Sequence, residues 1–172
     1  MTAFEMGVPR MPDKHIQNQN ELEFAVFCIE NVAARLGVNA EKVYRAFTEK
    51  SNILHGYIVP EYEVLHTQGK EYIVDDLLDV MNESGVNVPD NKVDIFERQR
   101  SNMSANPILL QKKYSRVIAY FAKEQGISLD AALDSFYRSE VYQLMRDGIS
   151  DMHCMSDEYL AEDLRREYCN LQ

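Results

Sequence analysis

The sequence predicts an all-α protein: two diverged copies of a small multi-helix unit packed about a pseudo-twofold axis. Three observations lead there. Glycine and proline are sparse, seven and five in 172 residues, which suits long regular elements better than a turn-rich sandwich. Apolar residues recur at helical spacing between residue types that start and stop helices. The second half also repeats, in order, marker residues found in the first.

Residues 1–19 are polar, carry Pro9 and Pro12 and lack periodicity, and read as a loose arm. Asn20 and Glu23 have the spacing of a capping box. From Glu21 to Leu36 the residues Leu22, Ala25, Val26, Ile29, Val32, Ala33 and Leu36 share one helical face. Phe24, Phe27 and Cys28 add a second, so this helix should be central. Gly37 can end it in the left-handed conformation. Asn39 then caps a helix from Ala40 to about Lys50, with Val43, Tyr44 and Phe47 inward, and Ser51 starts a short helix through Leu54.

Between Gly56 and His66 the pattern is weakest: Pro60 breaks it, and Tyr62 with Val64 alternates like a strand. Thr67 should cap a long helix to about Ser84 that buries Ile73, Leu77, Leu78 and Met81. Together these segments make a first repeat over 20–85. A linker over 86–107, bracketed by Gly85, Pro89 and Pro107, holds a short helix around Lys92–Arg98. The second repeat, 108–172, carries helices from Ile108 to Gln125, Leu129 to Arg138, Ser139 to Asp147 and Asp157 to Asn170. Ser128 and Ser156 serve as caps.

The repeat is the most informative feature. Gly37-Val38-Asn39 corresponds to Gly126-Ile127-Ser128, Phe47 to Phe136, and His66 to His153. Glu71-Tyr72-Ile73-Val74-Asp75-Asp76-Leu77 corresponds to Glu158-Tyr159-Leu160-Ala161-Glu162-Asp163-Leu164, identical at four of seven positions. Physically, one helical unit leaves an apolar face open that a second copy can cover. The copies are unequal: the Thr67-Gln68-Gly69 turn becomes Cys154-Met155-Ser156, so the first copy is the better candidate for a site.

Charge narrows the function classes. A formal net charge of −10 argues against nucleic-acid binding, which needs a basic face to neutralise phosphates. The basic clusters at Arg98–Arg100 and Lys112-Lys113 read as solvated helix faces. Cys28, Cys154 and Cys169 have no paired spacing, which points to a reducing compartment. Met1–Asn18 lacks the apolar core of a secretory signal, and the longest apolar run, Phe24–Ile29, is far too short for a bilayer. The expected location is the cytoplasm, away from membranes.

The stretches Phe24-Ala25-Val26-Phe27-Cys28-Ile29-Glu30-Asn31 and Val64-Leu65-His66-Thr67-Gln68-Gly69-Lys70-Glu71-Tyr72-Ile73 resemble a bacterial family of small domains of unknown function, common in gut anaerobes. The resemblance covers about residues 21–85 and reaches the second copy only weakly. It implies no reaction. Members are often encoded beside an ADP-ribosyltransferase-like protein, and the resemblance therefore implies a partner or neutraliser of such an enzyme.

For chemistry, the sequence offers little. His66 stands six residues before Tyr72 and ten before Asp76, which could form a base oriented by a carboxylate. A histidine packed at a helix entrance explains the same pattern and is favoured. Asp151, His153, Cys154 and Asp157 crowd one turn without a second ligand cluster, so no metal is expected. Cys28 reads as inert core, and no phosphate-cradling loop or nucleophile elbow is present, so no cofactor is expected. The acids Asp75, Asp76 and Asp79, echoed by Glu162, Asp163 and Glu167, are either solvated surface or a docking face for a basic protein. The expected function is a non-enzymatic protein-interaction module, with His66, Gln68, Tyr72, Asp75, Asp76, Asp79 and Glu162 as its candidate binding residues. A small enzyme or ligand-binding protein built on His66, Tyr72 and Asp76 is the alternative. Homo-oligomerisation is left open.

Overall fold

The computed structural model describes residues 14–88 and 106–171, and among these every regular element is helical. In chain order they are α1 (Gln19–Leu36), α2 (Ala40–Thr48), a π-helical turn (Leu54–Ile58), α3 (Tyr62–Leu65) and α4 (Lys70–Glu83). After the linker come α5 (Pro107–Gln125), α6 (Leu129–Tyr137), α7 (Glu140–Asp147), a 3₁₀ turn (Ile149–Cys154) and α8 (Asp157–Asn170). The helix expected around Lys92–Arg98 lies outside the described residues.

Most boundaries follow from local chemistry. Gly37 and Gly126 end α1 and α5 at φ of 71° and 64°, a region that costs residues with a Cβ but not glycine. Asn39, Ser128 and Ser156 each accept an amide of the first helical turn, as expected, and Ser139, read from the sequence as the first helical residue, is a cap of the same kind. The start of α1 differs. Asn18, not Asn20, is the cap: its side chain accepts the Glu21 amide at 3.0 Å, and the Glu21 carboxylate reaches back to the Gln17 amide at 2.7 Å. The cap therefore forms two residues earlier, where Lys14 can neutralise the buried Glu21 at 2.8 Å. The chain before α1 is docked from Lys14 onward. Ile16 is buried and the Lys14 amide donates to the His55 carbonyl.

Two further expectations change between α2 and α4. Tyr62 and Val64, read as strand-like, sit in the single turn α3. Tyr62 packs its ring edge-on against Phe24, and Val64 faces solvent. Before it, the π turn buries Leu54 and Ile58, and Gly56 lets Asn52 approach to where an added Cβ would stand 2.9 Å from its amide nitrogen. Thr67 does not cap α4. Its hydroxyl donates to the Val64 carbonyl at 2.7 Å, and Gly69 occupies the cap position.

One apolar core runs through the described residues. Its centre is α1 against α5, with α2 and α4 packed on α1, α6 and α8 packed on α5, and α2 meeting α6. Ile73, Leu77, Leu160 and Leu164 are all buried, as their spacing predicts. Polar bonds join residues of the first half to residues of the second. Tyr44 donates to Asp134 at 2.9 Å, Asn39 to Gln143 at 3.2 Å and Asn31 to Gln111 at 3.3 Å, and Arg138 pairs with Glu49. No helix among the described residues is long and apolar enough to cross a membrane.

Candidate functional site

The α3–α4 segment carries most of the sequence-derived candidates. Pro60 lacks an amide hydrogen and closes the preceding turn, after which Tyr62 anchors α3 to α1. His66 follows one turn later. Its ring stacks on Tyr62 with centroids 4.4 Å apart, and Nδ1 lies 2.6 Å from the Tyr62 carbonyl oxygen. A carbonyl can only accept, so Nδ1 carries the proton in that bond and Nε2 faces outward. Gln68 is exposed and donates to Thr67 Oγ1 at 3.3 Å. On α4, Ile73, Val74, Leu77 and Met81 turn inward, while Tyr72 is 58% exposed and Asp75 and Asp79 face water.

These residues share a face but do not converge on a reaction centre. Asp76 accepts a 2.5 Å hydrogen bond from the Tyr57 hydroxyl, away from His66. Burial, followed by that bond to Asp76, pushes the Tyr57 hydroxyl well above its ordinary value. Asp75 pairs with Arg35 at 2.6 Å, and Glu71 pairs with the same guanidinium at 2.9 Å. Asp79 has no ion-pair or hydrogen-bond partner among the described residues.

The matching face of α8 is more heavily committed. Glu162 takes both Arg165 and Arg166, and the bond from Arg165 holds its carboxyl below the ordinary range. Asp163 meets Arg166 at 3.4 Å. Glu167 accepts the Glu140 and Val141 amides at 2.8 and 2.9 Å, so it caps α7 instead of facing solvent. The crowded turn near His153 is likewise dispersed. Cys154 is exposed, and Asp157 is drawn to Arg116 at 2.8 Å and Lys113 at 3.3 Å. Burial pushes Asp157 up, but those two cations outweigh it and hold the carboxyl low.

Elsewhere the fold assembles groups that are distant in sequence. Glu30 on α1 accepts the Tyr137 and Tyr142 hydroxyls at 3.0 and 3.1 Å. Burial raises its carboxyl to about 7, with the two tyrosine bonds and Arg146 pulling the other way. Tyr114 stands edge-on to Tyr142, and its buried hydroxyl has no hydrogen-bond partner among the described residues. Cys28 is fully enclosed, and burial pushes its thiol up, consistent with an inert core residue. An open cleft of about 510 Å³ lies between α1, α5 and α8, with Glu23, Arg116, Lys123 and Glu158 among its walls. A third cluster brings His15, His55 and Asp130 together. Sequence separation hid both the Glu30 and the His15 groups. No spacing rule links a residue on α1 to a pair more than a hundred positions away.

Residues 23–84 match a family model described as "Protein of unknown function (DUF3791)". The match begins in α1 and runs to the end of α4, so it contains His66, Gln68, Tyr72, Asp75, Asp76 and Asp79 but not Glu162. No curated protein and no solved structure matches the chain.

Proposed function

We propose that this chain is a non-enzymatic protein-interaction module that docks a basic partner through the outward face of α3 and α4. One observation carries the reading. Val64 and Tyr72, 59% and 58% exposed, stand on a segment whose helix holds five acids against one lysine. Exposed aromatic anchors ringed by charge are the composition of binding faces, in which the ring supplies affinity and the charge steers approach. Asp79 faces water with no ion-pair or hydrogen-bond partner among the described residues, whereas Asp75 shares Arg35 with Glu71.

The family resemblance suggests an ADP-ribosyltransferase-like protein as the partner. An enzyme that holds an anionic dinucleotide needs positive potential in its cleft, which an acidic helical face complements. The test is association kinetics with an ADP-ribosyltransferase-like protein. Asp79→Lys should slow association and flatten its salt dependence, and Tyr72→Ala should speed dissociation. Association unaltered by Asp79→Lys would remove the charge-steered mechanism, and no complex at micromolar concentrations would remove the partner.

We also infer that the two halves descend from one duplicated unit packed about a pseudo-twofold axis. Supporting it, α1, α2 and α4 span 18, 9 and 14 residues, and α5, α6 and α8 span 19, 9 and 14. Homologues whose halves resemble each other more closely would extend this reading, and homologues whose second half keeps no such order would overturn it. A reducing, cytoplasmic setting fits the free Cys154 and Cys169, both exposed.

A further inference from the structure

We propose that His15, His55 and Asp130 form a binding site for one divalent transition-metal ion of the imidazole-preferring class, with Zn²⁺ as its simplest occupant. The three residues come from three separate segments: the chain before α1, the π turn and the first turn of α6. His55 Nε2 lies 2.7 Å from Asp130 Oδ1, and His15 Nδ1 lies 3.5 Å from Asp130 Oδ2. One ligand atom from each residue falls within 4.8 Å of the other two. A tetrahedral zinc ion holds its ligands at about 2.0–2.1 Å, which places neighbouring ligand atoms about 3.3 Å apart. The observed separations bracket that value, so binding needs the His55–Asp130 contact to open slightly and the imidazoles to draw in.

The surroundings hold the ligands in place. The Lys14 amide donates to the His55 carbonyl at 2.9 Å and the Ile16 amide to Asp130 Oδ2 at 3.3 Å, so His15 is fixed on both sides. Ile16, Leu54 and Ile58 are buried next to these contacts and anchor two of the three segments in the core. The Asp130 and His55 side chains are 17% and 22% exposed, whereas His15 is 70% exposed and covers the site from outside. A carboxylate hydrogen bond needs a single histidine. Here two imidazoles address the same carboxylate, one through Nδ1 and one through Nε2. Two nitrogens with one oxygen suit zinc and its neighbours over calcium or magnesium, which prefer all-oxygen cages. Three protein ligands leave a fourth position on the His15 side, open to water or to a carboxylate or imidazole from another molecule.

The consequence is a clamp. Metal would tie the segment before α1 to α6 and stabilise the native state by mass action, because the unfolded chain does not hold the three ligands together. The test uses the full chain, stripped with chelator and titrated with ZnCl₂ by calorimetry, in a Cys154→Ser/Cys169→Ser background that removes competing exposed thiols. One equivalent should bind with a dissociation constant on the order of micromolar or tighter. Asp130→Asn and His15→Ala should each weaken binding by about tenfold or more. Replacing zinc with Co²⁺ should give the visible absorption of a tetrahedral site without a thiolate charge-transfer band. His15 is mostly exposed, so His15→Ala should keep the native circular dichroism and report on ligation alone. No heat of binding in the cysteine-free background would overturn the proposal. So would binding that survives both His15→Ala and Asp130→Asn unchanged.

Discussion

Replacing Glu30 with glutamine should remove a pH-dependent penalty from the fold. Glu30 has an ordinary carboxyl value of 4.5 and is raised to about 7 in the native state. Between those values the folded chain binds more protons than the unfolded chain, so stability falls as pH rises. The stabilisation is fully present below 4.5 and is lost as pH passes through 7. At about 1.4 kcal/mol per unit, the gap corresponds to an upper value of about 3 kcal/mol. Water reaching the half-buried residue reduces this, so about 1–3 kcal/mol is expected. Glutamine resembles the protonated acid: its carbonyl oxygen can accept from Tyr137 and Tyr142, and it never ionises.

Glu30→Gln should therefore be close to neutral near pH 5 and stabilising near pH 8. Urea unfolding followed by far-ultraviolet circular dichroism measures both proteins across this range. The contributions of all other titrating groups cancel in the difference between variant and wild type, which isolates Glu30. A difference in stability that stays constant with pH would refute the assignment of a raised carboxyl at this position.

The remaining predictions test the core, the caps and the surface. Leu77→Ala at a fully buried position should cost about 2–5 kcal/mol by urea unfolding, and a loss under about 0.5 kcal/mol would place that face of α4 outward. Glu167→Ala should destabilise by about 1–2 kcal/mol, because it strips two amides at the start of α7 of their acceptor; a neutral effect would return Glu167 to the solvated acids. Ser156→Ala should cost about 1 kcal/mol through the lost bond to the Tyr159 amide, checked by thermal melting.

What was legible in the sequence was local. The residues that cap or end α2, α5, α6 and α8 act within four positions of themselves, so Asn39, Gly126, Ser128 and Ser156 could be read directly. The burial of Ile73, Leu77, Leu160 and Leu164 follows from their spacing on one helix. Errors appear where local signals compete. At the start of α1, Asn18/Glu21 and Asn20/Glu23 offer the same spacing, and Lys14 decides between them through a contact outside the pattern. At Thr67 the hydroxyl had two possible partners, and the carbonyl behind it won over the amide ahead. Tyr62 and Val64 alternate because a single helical turn anchored by one ring is too short to show helical period.

The candidate site was harder to read because net charge does not reveal which acids are free. Composition gives −10, and helical spacing places Asp75, Asp76, Asp79, Glu162, Asp163 and Glu167 on two polar faces. The fold then commits most of them: Asp75 to Arg35, Asp76 to Tyr57, Glu162 and Asp163 to the arginines that follow, and Glu167 to the amides of α7. An acid already paired contributes less potential to an approaching partner than one facing water alone, because its field is largely that of a dipole. The repeat therefore hides an asymmetry that charge counting misses. On α8 Glu162 and Asp163 pair with neighbouring arginines and Glu167 caps α7, whereas on α4 Asp79 has no partner among the described residues and lies on the helix that also exposes Tyr72. If a basic protein docks here, α4 should carry the steering, and reversing Glu162 should change stability more than association.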